Sequence, residues 1–319
     1  MCNHKKNSCK IILLIVVTAI SSCVKQNGDT PNWPKKADFP GSGRQNAVAF
    51  TIGDKAYVGT GTGTYRLKDF WQYDAASNTW NQKADFGGTA RYGAVGFSVG
   101  TKGYIGLGYD GTAYKTDIWE YNVSSNSWAQ KLSFPSNARD RASSFVIGNK
   151  AYVGIGAYDI TVNTAVPYKD FWEFSPDSNL WKQKAPFPGT ARFNAVGFSI
   201  GNKGYIGTGY SNQYETDFYE YDAASNTWQQ KADYPVACSE AAAFVIGTKG
   251  YIGTGYVNNK YGSAVYEYDP SSNVWTKKSD FAGVARADAV GFSVNGRGYI
   301  GTGYDNFGDY TKDIFEFWP

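Results

Sequence analysis

A recurring arginine is the first feature of the sequence that could support binding chemistry. It occurs in five segments that resemble "ARFNAVGF", as Arg44, Arg91, Arg139, Arg192 and Arg286, whereas the sixth such segment, "ACSEAAAF", has Cys238 at this position. Several guanidinium groups brought together would form an anion site. An arginine in every repeat also suits a scaffold, because guanidinium groups hydrogen-bond the carbonyl groups of neighbouring loops. The sequence leaves both roles open.

The residues that follow this arginine vary from copy to copy, and five of them carry polar or charged side chains: Asn46, Arg141, Asn194, Glu240 and Asp288. Two carboxylates, a guanidinium and two amides are suited to holding a polar ligand. Glu240 lies in the segment without the arginine, and Ala264 in the same copy replaces an aspartate that the other copies have. We therefore predict a ligand site formed by these residues and the five arginines.

Composition excludes several kinds of catalytic site. The only histidine is His4, which lies in the basic and apolar N-terminal segment, so a serine-histidine triad, a zinc site or a copper site with histidine ligands is not expected. A run of Asp305, Asn306 and Asp309 has too few oxygen ligands for a calcium loop. We predict no metal and no cofactor.

The elements that position these residues follow from an internal repeat. Six tyrosines in "KAYVG"-like segments, 46 to 53 residues apart, mark six copies: Tyr57, Tyr104, Tyr152, Tyr205, Tyr251 and Tyr299. Each copy predicts four short strands, and a Gly-X or Asn-Gly pair joins the first two. The fourth strand opens at a tryptophan, but the sixth copy ends before it. Because Trp33 opens such a strand before the first copy, we predict a ring closed by the N-terminal strand.

The loops between the second and third strands vary in length and are rich in tyrosine, aspartate, asparagine and glutamine. Aromatic rings beside amides and carboxylates suit a sugar or a protein surface, and function usually resides in variable loops on a rigid frame. The recurring arginine lies on the same side. Four tyrosines join the predicted ligand site: Tyr109, Tyr210, Tyr256 and Tyr304.

The pattern resembles the kelch family, which has a repeat of about 50 residues, a glycine pair after the second strand, an aromatic residue in the third and a tryptophan at the start of the fourth. The resemblance covers residues 33–319, with Gly-X-Gly in place of the family's adjacent glycines. It implies an all-β, six-bladed kelch-type β-propeller. Exported bacterial members, including sialic acid mutarotases and the propeller domain of galactose oxidase, are a nearer comparison than the eukaryotic adaptor proteins of the family.

The N-terminal residues predict export. Residues 1–22 combine basic residues with an apolar run that is too short to span a bilayer, and "AISSC" resembles a bacterial lipobox. We predict a lipoprotein signal peptide over 1–22, a lipidated tether over 23–32 beginning at Cys23, and a propeller over 33–319. The expected location is the bacterial cell envelope, with the lipid in the outer membrane and the protein on its periplasmic side or at the cell surface.

Charge argues against nucleic acid as a partner. Residues 1–22 contain three of the 31 basic residues and no acidic one, so the remaining chain has 28 basic and 28 acidic residues and no basic patch. We expect a monomer without a nucleic-acid partner, attached to the membrane only through its lipid.

Two hypotheses for function follow. The first is a non-catalytic propeller that binds a glycan or protein on the face of the variable loops, which the kelch resemblance implies. The alternative is a mutarotase or epimerase similar to the sialic acid enzymes, since proton transfer at an anomeric centre needs only a carboxylate and a supporting cation. In that case Glu240 is the base, and Arg192 or Arg286 holds the sugar carboxylate.

Overall fold

The computed structural model describes Met1 and residues 33–159 and 164–319. The predicted signal peptide and tether, including Cys23, lie outside these residues. Within the described ranges the chain is all-β, with antiparallel sheets and no helix. These residues therefore include no helix of the length and apolarity that crossing a membrane requires.

Six sheets form the main body of the described chain, five with four strands and one with three. Their strands, in order, are as follows: sheet 1, Val48–Ile52, Lys55–Gly59, Phe70–Asp74 and Thr79–Lys83; sheet 2, Val95–Val99, Lys102–Gly106, Ile118–Asn122 and Ser127–Lys131; sheet 3, Ser143–Ile147, Lys150–Gly154, Phe171–Ser175 and Leu180–Gln183; sheet 4, Val196–Ile200, Lys203–Gly207, Phe218–Asp222 and Thr227–Gln230; sheet 5, Ala242–Ile246, Lys249–Gly253, Val265–Asp269 and Val274–Lys277; sheet 6, Val290–Val294, Arg297–Gly301 and Ile314–Phe317.

Short two-residue strands connect the loops on one side of these sheets. They are Ala157–Tyr158 with Val166–Pro167; Cys238–Ser239 and Lys260–Tyr261, both with Tyr256–Val257; and Arg286–Ala287 with Tyr304–Asp305.

Tight turns fix the register of the first two strands in each sheet. In sheet 6 the turn is Asn295-Gly296, with φ angles of 52° and 72°, and both residues of a type I′ turn need such positive values. In sheet 2 the turn places Phe97 opposite Tyr104. Side chains alternate across a strand, so the buried residues of the first strand all lie on one face.

Aromatic side chains fill the space between neighbouring sheets. Tyr57 of sheet 1 contacts Tyr121 of sheet 2, with ring centroids 5.8 Å apart, and comparable clusters lie between each later sheet and the next. Sheet 6 packs on sheet 1 in the same way, where Tyr299 and Tyr73 are 5.6 Å apart. Each such pair contributes about 0.5–1.5 kcal/mol beyond its buried area.

The first strands of the sheets surround a central axis. Consecutive first strands contact one another, and the first strand of sheet 1 also contacts that of sheet 6. Together they enclose an axial cavity of about 200 Å³. Sheets that pack face to face around an axis in this way form a β-propeller.

The N-terminal segment runs beside the third strand of sheet 6. The Lys36 N–H donates to the Ile314 carbonyl at 2.8 Å, and the Glu316 N–H donates to the Pro34 carbonyl at 3.0 Å. Trp33 is buried at 3% exposure, and its indole ring packs on Phe317 with the centroids 4.8 Å apart.

Candidate functional site

The five recurring arginines are fully buried and paired with carboxylates. Arg91 donates to both oxygens of Asp117 at 2.5 and 2.9 Å. It also donates to the Leu107 and Thr89 carbonyls, each at 3.0 Å, and its guanidinium lies 4.9 Å from the centre of the Phe86 ring. The same pairing joins Arg44 to Asp69, Arg139 to Asp170, Arg192 to Asp217 and Arg286 to Asp313.

In five of the six sheets, these ion pairs link the loop before the first strand to the start of the third strand. Burial acts to raise the pKa of Asp117, but the hydrogen bonds from Arg91 outweigh it and lower that pKa. Because the guanidinium donors are engaged and the groups are buried, the arginines act as links of the frame. The structure brings none of the five into the cavity described below, including Arg192 and Arg286, which the sequence assigned to a sugar carboxylate.

The residue two positions after the arginine position in each copy lies close to the axis, and the six such residues form a ring. We call this the polar ring: Asn46, Gly93, Arg141, Asn194, Glu240 and Asp288. All six adopt left-handed backbone conformations, with φ between 51° and 62°. Each N–H donates to the carbonyl of the preceding member at 2.8–3.3 Å, and Asn46 donates to Asp288 to complete the cycle. Five of the six are not glycine, so the surrounding structure imposes this conformation on them.

The side chains of the polar ring line a cavity of about 140 Å³ at the mouth of the axial channel. This brings together the five polar residues that the sequence selected after the arginines. The floor consists of the alanines that follow each ring member, and these alanines also line the top of the axial cavity. Small residues below and charged residues around the wall leave a polar space open to a ligand.

Two carboxyl groups in this cavity hold protons unusually well. The pKa of Glu240 rises to about 8, because the half-buried group is desolvated and faces Asp288, although Arg141 acts to lower it. Desolvation also raises the pKa of Asp288, while the charge of Arg141 and the neighbouring amide of Asn46 favour its ionised form. Asn194 donates to Glu240 at 3.0 Å. Two interacting carboxyl groups with raised pKa values favour a state in which one proton is shared.

Asp140 joins this constellation, although the sequence analysis did not select it. It is completely buried, and one of its oxygens lies 3.4 Å from an Nη atom of Arg141. Burial raises its pKa to about 6 despite the opposing effect of Arg141. Neither its Oδ1 atom nor the Nε atom of Arg141 has a hydrogen-bond partner among the described residues. The sequence signal that could have identified Asp140 is its position directly before Arg141.

Space for Asp140 depends on the glycine in the polar ring. A Cβ atom at Gly93 would lie 3.1 Å from the Cβ of Asp140 and 3.2 Å from its Oδ2. Any larger side chain at position 93 would therefore press on the buried carboxylate, so the position of Asp140 favours glycine at this ring member.

The four tyrosines predicted for the site belong to an aromatic belt on the loops around the polar ring. Contacting rings link Tyr210, Tyr214, Tyr256, Tyr261, Tyr304 and Tyr310, with centroids 5.0–6.1 Å apart. Tyr109 contacts Tyr92 and Tyr114 in a second group. These rings do not line the 140 Å³ cavity. Burial and neighbouring tyrosines raise the pKa of Tyr261, and Glu240 and Asp288 add to this, which places the belt within their electrostatic reach.

The described residues contain no group of three histidine, cysteine, aspartate or glutamate side chains arranged to hold a metal ion. In the loop where the sequence has Asp305, Asn306 and Asp309, the Asp305 carboxylate accepts the N–H groups of Phe307 and Asp309 at 2.9 and 3.0 Å. It therefore closes a turn.

Comparison with known proteins identifies the fold. No model of a known family matches the chain, and no curated protein matches it in sequence. A solved structure of YjhT superposes with a TM-score of 0.74 at 17% identity, covering 88% of this chain and 96% of that one. In all, 770 solved chains match, so the likeness specifies the fold and not the function. The sheet arrangement and this likeness together establish that the chain has a β-propeller fold.

Proposed function

We propose that the protein binds a sugar at the polar ring and catalyses proton transfer at its anomeric centre, as a mutarotase or epimerase. The observation that carries the proposal is the pair of carboxyl groups, Glu240 and Asp288, with raised pKa values in one cavity. Catalytic acids and bases are often recognised as neighbouring groups whose environments give them different protonation states. Of the two hypotheses drawn from the sequence, this geometry favours the enzyme.

The propeller frame that we propose has six blades, with the N-terminal strand completing the last one. The six-membered cycle of backbone hydrogen bonds and the packing of sheet 6 on sheet 1 support this number and this closure. The position of Trp33 supports the assignment of the missing strand. The N-terminal strand covers the edge of the third strand of sheet 6, and closure holds the six ring members at fixed positions.

The proposed reaction opens and recloses the sugar ring. Asp288, whose ionised form Asn46 favours, accepts the proton of the anomeric hydroxyl group, while Glu240 donates its proton to the ring oxygen. The bond between the anomeric carbon and the ring oxygen breaks and leaves an open-chain carbonyl compound. Rotation next to the carbonyl carbon and the reverse proton transfers then close the ring on the other face and restore both carboxyl groups.

Arg141 would bind an acidic substituent of the sugar. It is the cation that lines the cavity, and its side chain is 12% exposed, so its guanidinium can meet a carboxylate there. This replaces the earlier assignment of Arg192 or Arg286, which are engaged with Asp217 and Asp313. An acidic sugar such as sialic acid is therefore the substrate class that we propose.

An NMR time course of anomer equilibration tests the proposal with sialic acid and with neutral hexoses. We expect the wild-type protein to accelerate equilibration of the acidic sugar, and Glu240→Gln and Asp288→Asn to lose about 10²-fold or more of the rate. Asp85→Asn, on an exposed carboxylate, is the matched control and should keep full activity. Binding of the sugar without any acceleration would favour the non-catalytic hypothesis, for which the aromatic belt offers a surface.

We also propose that the propeller is carried on the bacterial cell envelope by a lipid on Cys23. The lipobox-like sequence before this cysteine supports the assignment.

A further inference from the structure

Sheet 5 lacks the buried ion pair that the other five sheets share. Cys238 occupies the arginine position, since its carbonyl accepts the Gly209 N–H at 2.8 Å just as the Arg192 carbonyl accepts the Gly156 N–H at 2.8 Å. Ala264 stands in place of the aspartate. The Cys238 side chain is buried in the apolar cluster between sheets 4 and 5, and burial raises its pKa to about 12. The thiol therefore stays uncharged and does not replace a guanidinium.

Two backbone carbonyl groups are left without donors as a result. In sheet 4, Arg192 donates to the Thr208 carbonyl at 3.0 Å and to the Thr190 carbonyl at 2.9 Å. The corresponding carbonyls in sheet 5 belong to Thr254 and Val236, and no described residue donates a hydrogen bond to either. Carbonyl groups without a protein partner in a concave site are natural acceptors for a ligand.

A cavity of about 450 Å³ opens at this place, lined by residues that include Tyr234, Val236, Thr254 and Ala264. Three consecutive small residues form part of its wall, Gly262, Ser263 and Ala264, where sheet 4 has Glu215, Thr216 and Asp217. The cavity lies beside the place that the other sheets fill with an arginine and an aspartate, and Tyr234 and Thr254 border it with 2% of their surface exposed. The cavity is separate from the one at the polar ring, because the two share no lining residue.

The aromatic ring that supports each arginine is retained. In the other five sheets the guanidinium carbon lies 4.4–4.9 Å from the centre of a phenylalanine ring. Tyr234 takes that place in sheet 5, since it packs edge-on against Trp275 at 5.0 Å as Phe187 packs against Trp228 at 5.5 Å. Its hydroxyl donates to the Ile252 carbonyl at 3.3 Å, so the ring is fixed in position.

We propose that this cavity binds an alkylguanidinium group, either of a free arginine-like molecule or of an arginine side chain in a peptide. The guanidinium takes the place of the missing arginine, with its plane over Tyr234 and its N–H groups directed to the Thr254 and Val236 carbonyls. A planar group with divergent N–H donors fits two such carbonyls better than an ammonium group does. Asp280 and Lys260, both exposed, lie at the rim, and their charges balance.

Calorimetric titration of the full chain tests this inference with methylguanidine, L-arginine and the tripeptide Gly-Arg-Gly, and with L-lysine as the control for charge. We expect saturable, millimolar binding of the guanidinium compounds and much weaker binding of lysine. Equal affinity for free arginine and the tripeptide would indicate that the guanidinium alone is recognised, whereas tighter binding of the tripeptide would indicate a peptide-borne arginine.

Two variants connect binding to this cavity. Ala264→Asp supplies the missing carboxylate and should tighten guanidinium binding by about tenfold or more, as expected of a charge-assisted hydrogen bond. The double variant Cys238→Arg with Ala264→Asp restores the arrangement of the other sheets, so it should fold at least as well as the wild type and lose guanidinium binding. Absence of saturable binding to the wild type, equal binding of lysine, or undiminished binding to the double variant would overturn the proposal.

The titration stands independently of the proposed enzyme activity. Glu240→Gln lies in the other cavity and should leave guanidinium binding unchanged, and the double variant should still equilibrate the sugar anomers.

Discussion

Replacing Asp217 by alanine removes the carboxylate that neutralises Arg192 in sheet 4. The Arg192 side chain is 0% exposed and that of Asp217 is 19% exposed, so the guanidinium is left buried without its counter-ion. Breaking a buried pair from one side typically costs about 3–5 kcal/mol. Arg192 keeps its bonds to the Thr190 and Thr208 carbonyls and its contact with Phe187. We therefore expect the lower end of that range, a loss of about 3 kcal/mol.

A second replacement separates the cost of the lone charge from the value of the pair. Arg192→Met combined with Asp217→Ala removes both charges and keeps an apolar chain over Phe187. Because replacing both partners avoids the unpaired charge, the double variant should be more stable than Asp217→Ala alone by about 1–2 kcal/mol. The wild-type arrangement of sheet 5, with Cys238 and Ala264, indicates that a blade can form without the pair.

Urea unfolding followed by tryptophan fluorescence measures these differences, and the NMR assay with the sugar and the titration with guanidinium compounds are controls for the two cavities. If Asp217→Ala left stability unchanged but abolished sugar binding, Arg192 would belong to the ligand site and the assignment to the frame would fail. If the double variant lost as much stability as Asp217→Ala and Arg192→Met lose separately when added together, the two residues would not be coupled.

Two further predictions concern the polar ring and the N-terminus. Because the pKa of Glu240 is raised from 4.5 to about 8, the folded state binds the extra proton and stability should fall as pH rises from about 4.5 to about 8. At about 1.4 kcal/mol per pH unit, the largest possible loss of unfolding free energy over this range is about 5 kcal/mol. Solvent in the open cavity reduces this to an expected 2 kcal/mol or so, and melting temperatures of Glu240→Gln against pH should lose that part of the slope. Labelled palmitate should enter the full-length protein in bacteria and not Cys23→Ala, and equal labelling would exclude this anchor.

Much of the fold was predictable because its determinants are local. The Asn295-Gly296 and Gly-X pairs set tight turns within a few residues, and alternation of apolar residues sets the buried face of each strand. The structure confirms five antiparallel four-stranded sheets, with a sixth of three strands and no helix in the described part of the chain. The position of Trp33 pointed to a contact between the two ends of the domain, and the structure places that residue beside Phe317.

The role of the recurring arginines could not be predicted from the arginines alone, since a guanidinium pairs equally well with an anionic ligand and with a carboxylate of the protein itself. The deciding residue lies 25 to 31 positions further on, as for Arg192 with Asp217 and Arg139 with Asp170. One sign of this pairing was present in the sequence. The only copy without the arginine, with Cys238, is also the only copy without the aspartate, with Ala264, as expected when two residues depend on each other.

The polar ring itself was half predictable. Variation at Asn46, Arg141, Asn194, Glu240 and Asp288 marked these residues as candidates, and the structure brings them together. Their shared left-handed conformation and the burial of Asp140 depend on packing between blades that lie about 50 residues apart in sequence. No local pattern encodes that packing.

Sheet 5 indicates how the frame and the site are divided. Sheet 5 lacks the arginine link, but Glu240, which precedes its first strand, keeps the left-handed φ of 61°. The Glu240 N–H still donates to the Asn194 carbonyl at 3.0 Å. The cycle of backbone bonds therefore holds each ring member independently of the ion pair behind it. Because the backbone is fixed by bonds that involve no side chain, the five ring side chains can differ from one another. Loss of the pair in sheet 5 thus opens a second cavity without disturbing the carboxyl group at the first, and the two sites can be altered one at a time.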